Sequence, residues 1–224
     1  MDNRVVAHDW RFADERRADI ARHWAELAAK KPALYDGRVL MACAARVESE
    51  AFVSQHFETS FSAFISWRDF GFPDMAVRNV FSMGALRSTD GAFLLGEMGA
   101  HTANAGKVYF PAGTPDPGDV RDGCVDLAGS VARELMEETG IDIAVCAVDP
   151  VWTIVELGQR IACMRPILID ASAEAVAARV AATLAQEAEP ELAGLRVVRS
   201  MADLDGLDTQ DFIRAYLAAE FAKG

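Results

Sequence analysis

The 224-residue chain is short of basic residues. Its 22 lysines and arginines face 34 aspartates and glutamates, a net charge of −12 with a pI near 4.7. A field of that sign repels phosphate backbones and anionic lipid, so no nucleic-acid partner and no membrane surface is expected, except where a bound cation inverts the field locally. Long apolar runs are also missing. None, IAVCAV at 143–148 included, comes near the ~20 residues that span a bilayer. The opening stretch, MDNRVVAHDWRFADERR, holds no apolar segment of the kind a secretory leader carries. Cysteine is sparse: Cys43, Cys124, Cys146 and Cys163 form no CxxC pair, and with His8, His23, His56 and His101 they give no zinc-type spacing. A disulfide scaffold and a zinc module are thereby excluded, and the expectation is a cytoplasmic protein with free thiols. Internal repeats and low-complexity linkers are absent too, which removes solenoids and beaded domains.

What is present is ordinary globular material. Hydrophobic residues make up 51% and charged residues 25%, so disorder, collagen and coiled coil do not fit. The length suits one large domain, or one domain with an embellishment. Periodicity suggests a first strand near 4–12, then a helix capped by Asp14, carrying Ile20, Trp24 and Leu27 and stopped by Pro32. Strands are expected at 38–49 and 51–58, and a short helix at 60–70. Residues 79–88 and 92–98 flank Thr89-Asp90-Gly91, a hairpin signal. A strand at 107–113 leads into PAGTPDPGD. A helix at 124–139 presents Leu127, Val131 and Leu135 on one stripe, and Gly140 follows as its left-handed cap. Strands near 151–157 and 160–169, a helix at 172–187, a strand at 195–198 and a final helix capped by Asp208, with Ile213, Leu217 and Phe221 facing inward, complete the pattern. Strands and helices alternate without a regular βαβ period, so the fold class is α/β, a mixed sheet with helices on both faces. Trp10, Trp24, Trp67 and Trp152 are expected as core anchors, and Cys124 as a small buried apolar residue.

Chemistry concentrates in residues 108–141, whose centre reads RELMEETGI from Arg133 to Ile141. At ~100° per residue, Glu134, Glu137 and Glu138 share one sector of the helix about 100° wide, beside the apolar stripe. They converge near the helix C-terminus, where the macrodipole is already negative. A divalent cation reverses the sign of that arrangement, and hard oxygen donors suit Mg²⁺ or Mn²⁺ rather than zinc. Adjacent glutamates on a solvated helix face are common. The pattern R-E-L-x-E-E-x-G, however, fixes enough positions that a chance match is on the order of one in ten thousand.

At these residues the sequence resembles the Nudix hydrolase family, whose box runs G, five residues, E, seven residues, R-E-apolar-x-E-E-x-G-apolar. Arg133 through Ile141 match its second half completely. In the first half, Ala112-Gly113 stands where two glycines are usual, and Asp119 occupies the place of the first glutamate. Thirteen residues, rather than seven, separate Asp119 from Arg133, which reads as a six-residue insertion before the helix. The resemblance implies a Nudix-type α/β/α sandwich over 78–224; it does not extend to residues 1–77, which, with no Pro/Gly/Ser linker near residue 77, are expected as an N-terminal αβ extension packed on the same domain. It implies metal ligation by Glu134, Glu137 and Glu138 with a backbone carbonyl of Ala112 or Gly113. Catalytic roles fall to Glu137 and Glu138, with Arg133 orienting a box carboxylate. A general base is implied in the box or in a later loop, where Glu187, Glu189 and Glu191 are the candidates; His101, ahead of the strand at 107–113, is expected as a surface residue, with contact to a phosphate the alternative.

The activity implied is pyrophosphohydrolysis of a nucleoside diphosphate linked to another moiety: a nucleotide sugar, ADP-ribose, a dinucleotide or coenzyme A. AGKVYFPAGTPDPGD (105–119) is similar to the coenzyme A branch, although LLGEM replaces that branch's upstream arginine-rich segment, and YDGRVL (35–40) is similar to the UDP-sugar branch. The partner is then a small nucleotide-type molecule, and the resemblance leaves a homodimer open. The alternative is a non-catalytic Nudix-fold nucleotide-binding or regulatory module.

Overall fold

The computed structural model describes residues 1–32, 34–102 and 104–223. It opens with β1 (Asp2–Val5), α1 (Arg11–Glu15), α2 (Arg17–Lys30), β2 (Arg38–Glu48), β3 (Ala51–Ser60) and α3 (Phe61–Asp69). Then come β4 (Asn79–Ser88), β5 (Phe93–Met98), β6 (Lys107–Tyr109), β7 (Ala112–Gly113), β8 (Val120–Arg121), β9 (Cys124–Val125) and α4 (Leu127–Thr139). The chain closes with β10 (Ala147–Val148), β11 (Thr153–Leu157), β12 (Arg160–Ile169), α5 (Ala173–Leu184), β13 (Leu192–Val198), β14 (Asp208–Thr209) and α6 (Asp211–Phe221). Two compact units result. One comprises Met1–Val80, Thr114–Leu127 and Gly158–Ile161; the other comprises Phe81–Gly113, Ala128–Leu157 and Ala162–Gly224. Both units are discontinuous in sequence.

The first unit holds a five-stranded sheet in the order β2-β3-β1-β9-β8. The long β2–β3 hairpin pairs from Arg38↔Ser60 to Glu48↔Ala51, and β1 adds in parallel along β3. Its core gathers Trp10, Phe12, Phe57, Phe64 and Trp67. Both buried indoles are satisfied at one residue, Trp10 Nε1 donating to Asp74 Oδ2 and Trp67 Nε1 to the Asp74 carbonyl, each at 3.0 Å. Burying Trp10 and Phe12 also corrects the first helix. It starts at Arg11 rather than after Asp14, breaks at Arg16 and restarts at Arg17, while Asp14 pairs with Arg17 on the surface. Helix α3 begins where expected, Ser60 Oγ accepting from the Ala63 amide at 3.1 Å.

The insertion is ordered within this unit. Pro117–Asp119 form a 3-10 turn closed by the Asp119 carboxylate, whose Oδ2 accepts the Asp116 amide at 3.1 Å. Asp122 (φ 52°) and Gly123 (φ 76°) then reverse the chain between β8 and β9, a pair of left-handed residues that suits a two-residue hairpin. Strand β9 pairs with β1 through Arg4↔Cys124. Residues 124–125 are thus strand, and the helix expected from 124 starts at Leu127. Cys124 is half-buried on that strand; the buried thiol is Cys163.

The second unit is built on a nine-stranded mixed sheet, β10-β12-β4-β5-β6-β14, with β13 on β5, β7 on β4 and β11 on β12. Only β14 on β6 is parallel among the registers given for these strands. Nearly every residue of β4 and β5 is buried. Successive side chains of a strand point to opposite faces, so both faces must be covered. Phe81 meets Phe212 at 5.4 Å and Phe93 meets Tyr216 at 6.1 Å, which puts α6 on one face. At Gly84, of opposite parity to Phe81, a Cβ would lie 3.4 Å from Val131, which puts α4 on the other. The α/β/α layering is therefore as expected. Three details differ. Pro111 has no N–H to give a ladder, and the strand expected at 107–113 divides into β6 and β7. Strand β13 starts at Leu192, because it pairs with the full length of β5. Asp208 lies in β14, and α6 is preceded by Gln210. Among the described residues no helix is long and apolar enough to cross a membrane.

The split nature of the first unit yields a test. Val5 donates to the Gly123 carbonyl at 2.9 Å, Leu40 to the Pro115 carbonyl at 2.7 Å and Asn79 to the Gln159 carbonyl at 2.8 Å. A fragment 78–224 keeps the Asn79 pair but removes Val5 and Leu40, leaving 114–127 without these partners. Limited proteolysis is expected to release no stable 78–224 piece, and that fragment expressed alone is expected to show poor amide-exchange protection over 114–127. A protected, cooperatively melting 78–224 would contradict the division.

Candidate active site

Helix α4 turns Leu127, Val131 and Leu135 to the core, at 2%, 1% and 0% exposure. That register leaves the glutamates on the flank toward β7. Strand β7 is held by β4 through Ser82↔Gly113 and Met83↔Ala112, and the Gly84 amide donates to the Pro111 carbonyl at 3.1 Å. The helix ends at Gly140 (φ 68°), whose amide donates to the Met136 carbonyl at 2.8 Å.

The three helix glutamates are not equivalent. Glu134 and Glu138, one turn apart, are 9% and 2% exposed, whereas the Glu137 side chain is 57% exposed. Glu134 lies against the backbone of Gly113 so closely that a Cβ there would come within 2.0 Å of its Oε1. Only glycine allows that approach. Glu138 Oε1 accepts from the Ala112 amide at 3.4 Å, while its Oε2 is buried with no hydrogen-bond partner. Arg133 Nη1 spans the other two, 2.8 Å from Glu134 Oε1 and 3.1 Å from Glu137 Oε2.

A fourth carboxylate joins them. Of the three loop candidates, Glu191 is the one whose charge acts on the helix glutamates. The sheet places it, since the Gly99 amide donates to the Glu191 carbonyl at 2.7 Å beside the Leu192↔Met98 pair. Burial pushes Glu138 up to about 9, reinforced by Glu191, Glu134 and Glu137 and opposed by the Ala112 amide. Burial likewise pushes Glu134 up to about 7, against the pull of Arg133 and with Glu137 and Glu191 adding to it. Glu191 is an exposed residue, yet the protein packed around its carboxylate, and then Glu137, raise it, while His101 opposes. Tyr109, 6% exposed on β6, is held above the ordinary phenol range, first by burial and then by Glu138, Glu191 and Glu134. Its hydroxyl accepts from Asn104 Nδ2 at 3.2 Å. Sequence reasoning did not single out Tyr109 or Asn104; neither lies in the box, and a tyrosine ending a strand has no signature of its own.

Ala112 faces Glu138 through its amide N–H. Asp119 lies in the first unit and serves its own turn. Among the described residues, no three acidic, histidine or cysteine side chains already surround a common point as metal ligands. Arg133 accounts for part of this, since its guanidinium spans Glu134 and Glu137. The donor chemistry nevertheless fits a hard divalent cation. The set is all oxygen, and one buried carboxylate oxygen, Glu138 Oε2, has no partner.

No protein-family model and no curated protein matches the chain. Among solved structures it is similar to the MutT protein from Methanosarcina mazei, with 19% identity, 65% of this chain and 94% of that one covered, and a TM-score of 0.40. It is also similar to the Nudix hydrolase RenU from M. smegmatis, at 15% identity, 64% and 84% coverage and a TM-score of 0.39. DR0079 from Deinococcus radiodurans overlaps at 11% identity, 81% and 98% coverage and a TM-score of 0.46. Likeness of this size is partial, and the chemistry of the site rests on its own residues.

Two outcomes are expected. Gly113→Ala forces Glu134 away from β7, so Mg²⁺-dependent stabilisation, read by thermal melting with and without cation, should shrink while the secondary structure stays. Retained cation response would show that the Glu134–Gly113 approach is not needed. The second concerns pH in the presence of chelator. Folded Glu138 keeps its proton to about 9 against 4.5 in a free side chain, so its contribution is full below 4.5 and is lost as pH rises toward 9. Glu138→Gln should flatten that part of the stability–pH curve. Identical slopes for the two proteins would contradict the burial of this carboxylate.

Proposed function

We infer that the chain is a metal-dependent hydrolase of Nudix type, cleaving a diphosphate linkage in a nucleoside diphosphate joined to another moiety. The observation that carries this reading is Glu138: a buried carboxylate with an unpartnered oxygen, facing three further carboxylates, two of which pair with Arg133. Burying carboxylates without compensation is costly. A chain that assembles four of them, and uses a glycine to let one approach the backbone, is arranged for a cation that arrives with its substrate.

Glu134 and Glu138, the buried pair, would hold Mg²⁺ or Mn²⁺, with Glu137 and the Ala112–Gly113 backbone beside them. Such an ion neutralises diphosphate oxygens and lowers the pKa of a bound water. The chain's own residues supply the rest. Arg133 orients Glu134 and Glu137 through its two contacts. Glu137 faces solvent, where the diphosphate and the attacking water enter, and we assign it a catalytic role with Glu138. Glu191 adds negative charge opposite the helix, which strengthens the attraction of the group for a cation. Net charge of −12 favours a substrate delivered as its metal complex over a free polyanion. The substrate classes that fit the embellished chain are nucleotide sugars, ADP-ribose, dinucleotides and coenzyme A. The alternative is a nucleotide-binding module without turnover, favoured by the Arg133 contact that ties up Glu134 and Glu137.

Incubation with ADP-ribose, UDP-glucose and coenzyme A plus Mg²⁺, with phosphate-containing products followed, separates the two readings. Turnover is expected with at least one, and is expected to vanish in excess chelator. Glu137→Gln should lower the rate by ~10²–10³, the size of a lost electrostatic contact at a transition state. In chelator its melting temperature should hold, because loss of an exposed ion pair (at most ~1 kcal/mol) is offset by relief of like-charge repulsion. Wild-type turnover in Glu137→Gln, or full activity in chelator, would overturn the reading.

A further inference from the structure

The face of the second unit's sheet covered by α6, opposite the carboxylate helix, carries a cavity of its own. Its volume is about 330 Å³, at the small end of ligand sites, which run roughly 300–1,000 Å³. Phe93 and Tyr216 form part of its wall, and the exposed apolar residues Val151 and Leu168, 69% and 43% exposed, stand at its rim.

Its polar groups are unevenly matched. Each acid in the lining already has a donor: Glu220 Oε1 accepts from Lys223 Nζ at 2.5 Å, and Asp149 Oδ1 accepts from the Val151 amide at 2.8 Å. Two donors do not have acceptors. Tyr216 is 1% exposed, and its hydroxyl makes no hydrogen bond to any described residue. Tyr216 lines the cavity together with Arg87, Asp149, Glu220 and Lys223. Arg87 lays its guanidinium over the Phe93 ring, 5.1 Å from the centroid, and gives Nε to the Gly91 carbonyl at 3.1 Å. Its terminal nitrogens have no carboxylate partner among the described residues, in a chain with 34 acids. Stacking on an aromatic ring holds a guanidinium flat and leaves its edge available for a planar anion.

We propose that this cavity is a second binding site, distinct from the carboxylate site, for a small aromatic or otherwise apolar molecule bearing one carboxylate. Arg87 and the Tyr216 hydroxyl take the carboxylate, and Phe93, Val151 and Leu168 take the apolar body. A single negative charge is specified, because Glu220 and Asp149 at the rim oppose a dianion.

Phenylacetate and its neutral counterpart phenylacetamide are suitable probes, titrated into the full chain by calorimetry or ligand-observed NMR. Phenylacetate is expected to bind at millimolar concentration or below, and the amide about tenfold more weakly, the size of one charge-assisted contact. Arg87→Gln should abolish that preference. Tyr216→Phe should weaken the acid while melting as the wild type does, its hydroxyl having no partner in the protein. Glu137→Gln should leave phenylacetate affinity unchanged, so this result is independent of catalysis. Equal affinity for acid and amide, or an unchanged preference in Arg87→Gln, would overturn the proposal. So would sedimentation showing a dimer that Arg87→Gln disrupts while phenylacetate fails to bind; that outcome would give the cavity to a second copy of the chain.

Discussion

Glu134 can reach the backbone of β7 only because residue 113 has no side chain, and much of the second unit is arranged around that approach. The Ser82↔Gly113 and Met83↔Ala112 pairs hold β7 in place, and α4 must lie low enough over the sheet to bring its carboxylates there. Gly84 serves the second requirement from below, since a Cβ at that position would already be within 3.4 Å of Val131 and 3.1 Å of Ile167. Packing at this density leaves little room for rearrangement. The carboxylates are therefore delivered to a fixed place by apolar contacts that carry no charge themselves. The fold is a device for holding like charges together, and the energy for doing so comes from the adjoining stripe of Leu127, Val131 and Leu135 on the same helix.

How much of this the sequence discloses depends on the range of the interaction involved. Helix α4 and its three glutamates are legible because period and spacing are local properties of one segment. Layering on both faces of the sheet is legible from the continuous burial pattern of β4 and β5. The insertion is legible as a length but not as a structure. Whether 120–125 continues the helix or folds back depends on β1, more than a hundred residues away, offering Arg4 to Cys124 as a partner. The division into two units is hidden for the same reason: residues 114–127 and 158–161 look like loops of the box and of a hairpin until their partners in 1–80 are known. Trp10 and Phe12 move a helix start that capping rules place at Asp14, because burial of two rings outweighs a surface cap worth about 1 kcal/mol.

The site shows the same boundary. Sequence places Glu134, Glu137 and Glu138 in one sector but cannot rank their burial, which follows from how α4 is rolled against β7. It offers Glu187, Glu189 and Glu191 as equals. Only the pairing of β13 with β5, which begins at Leu192, selects Glu191 by anchoring its carbonyl to Gly99. Tyr109 and Asn104 carry no local mark at all, since their relevance arises from a strand edge and a loop meeting beside a helix.

The two faces of the second unit's sheet carry opposite mismatches, and this bears on what each can hold. Under α4, acceptors outnumber donors: four carboxylates share Arg133 and one weak amide contact, and Glu138 Oε2 has nothing. Against α6 the mismatch runs the other way: the buried Tyr216 hydroxyl lacks an acceptor and the exposed Arg87 has no carboxylate partner among the described residues, while the acids nearby are already occupied. Unmatched buried groups are expensive in any fold, and the sign of the mismatch states the sign of what is missing. A surplus of acceptors calls for a cation, and a surplus of donors calls for an anion. The sheet between them is apolar through both layers, from Phe81 on the α6 face to Gly84 beneath Val131.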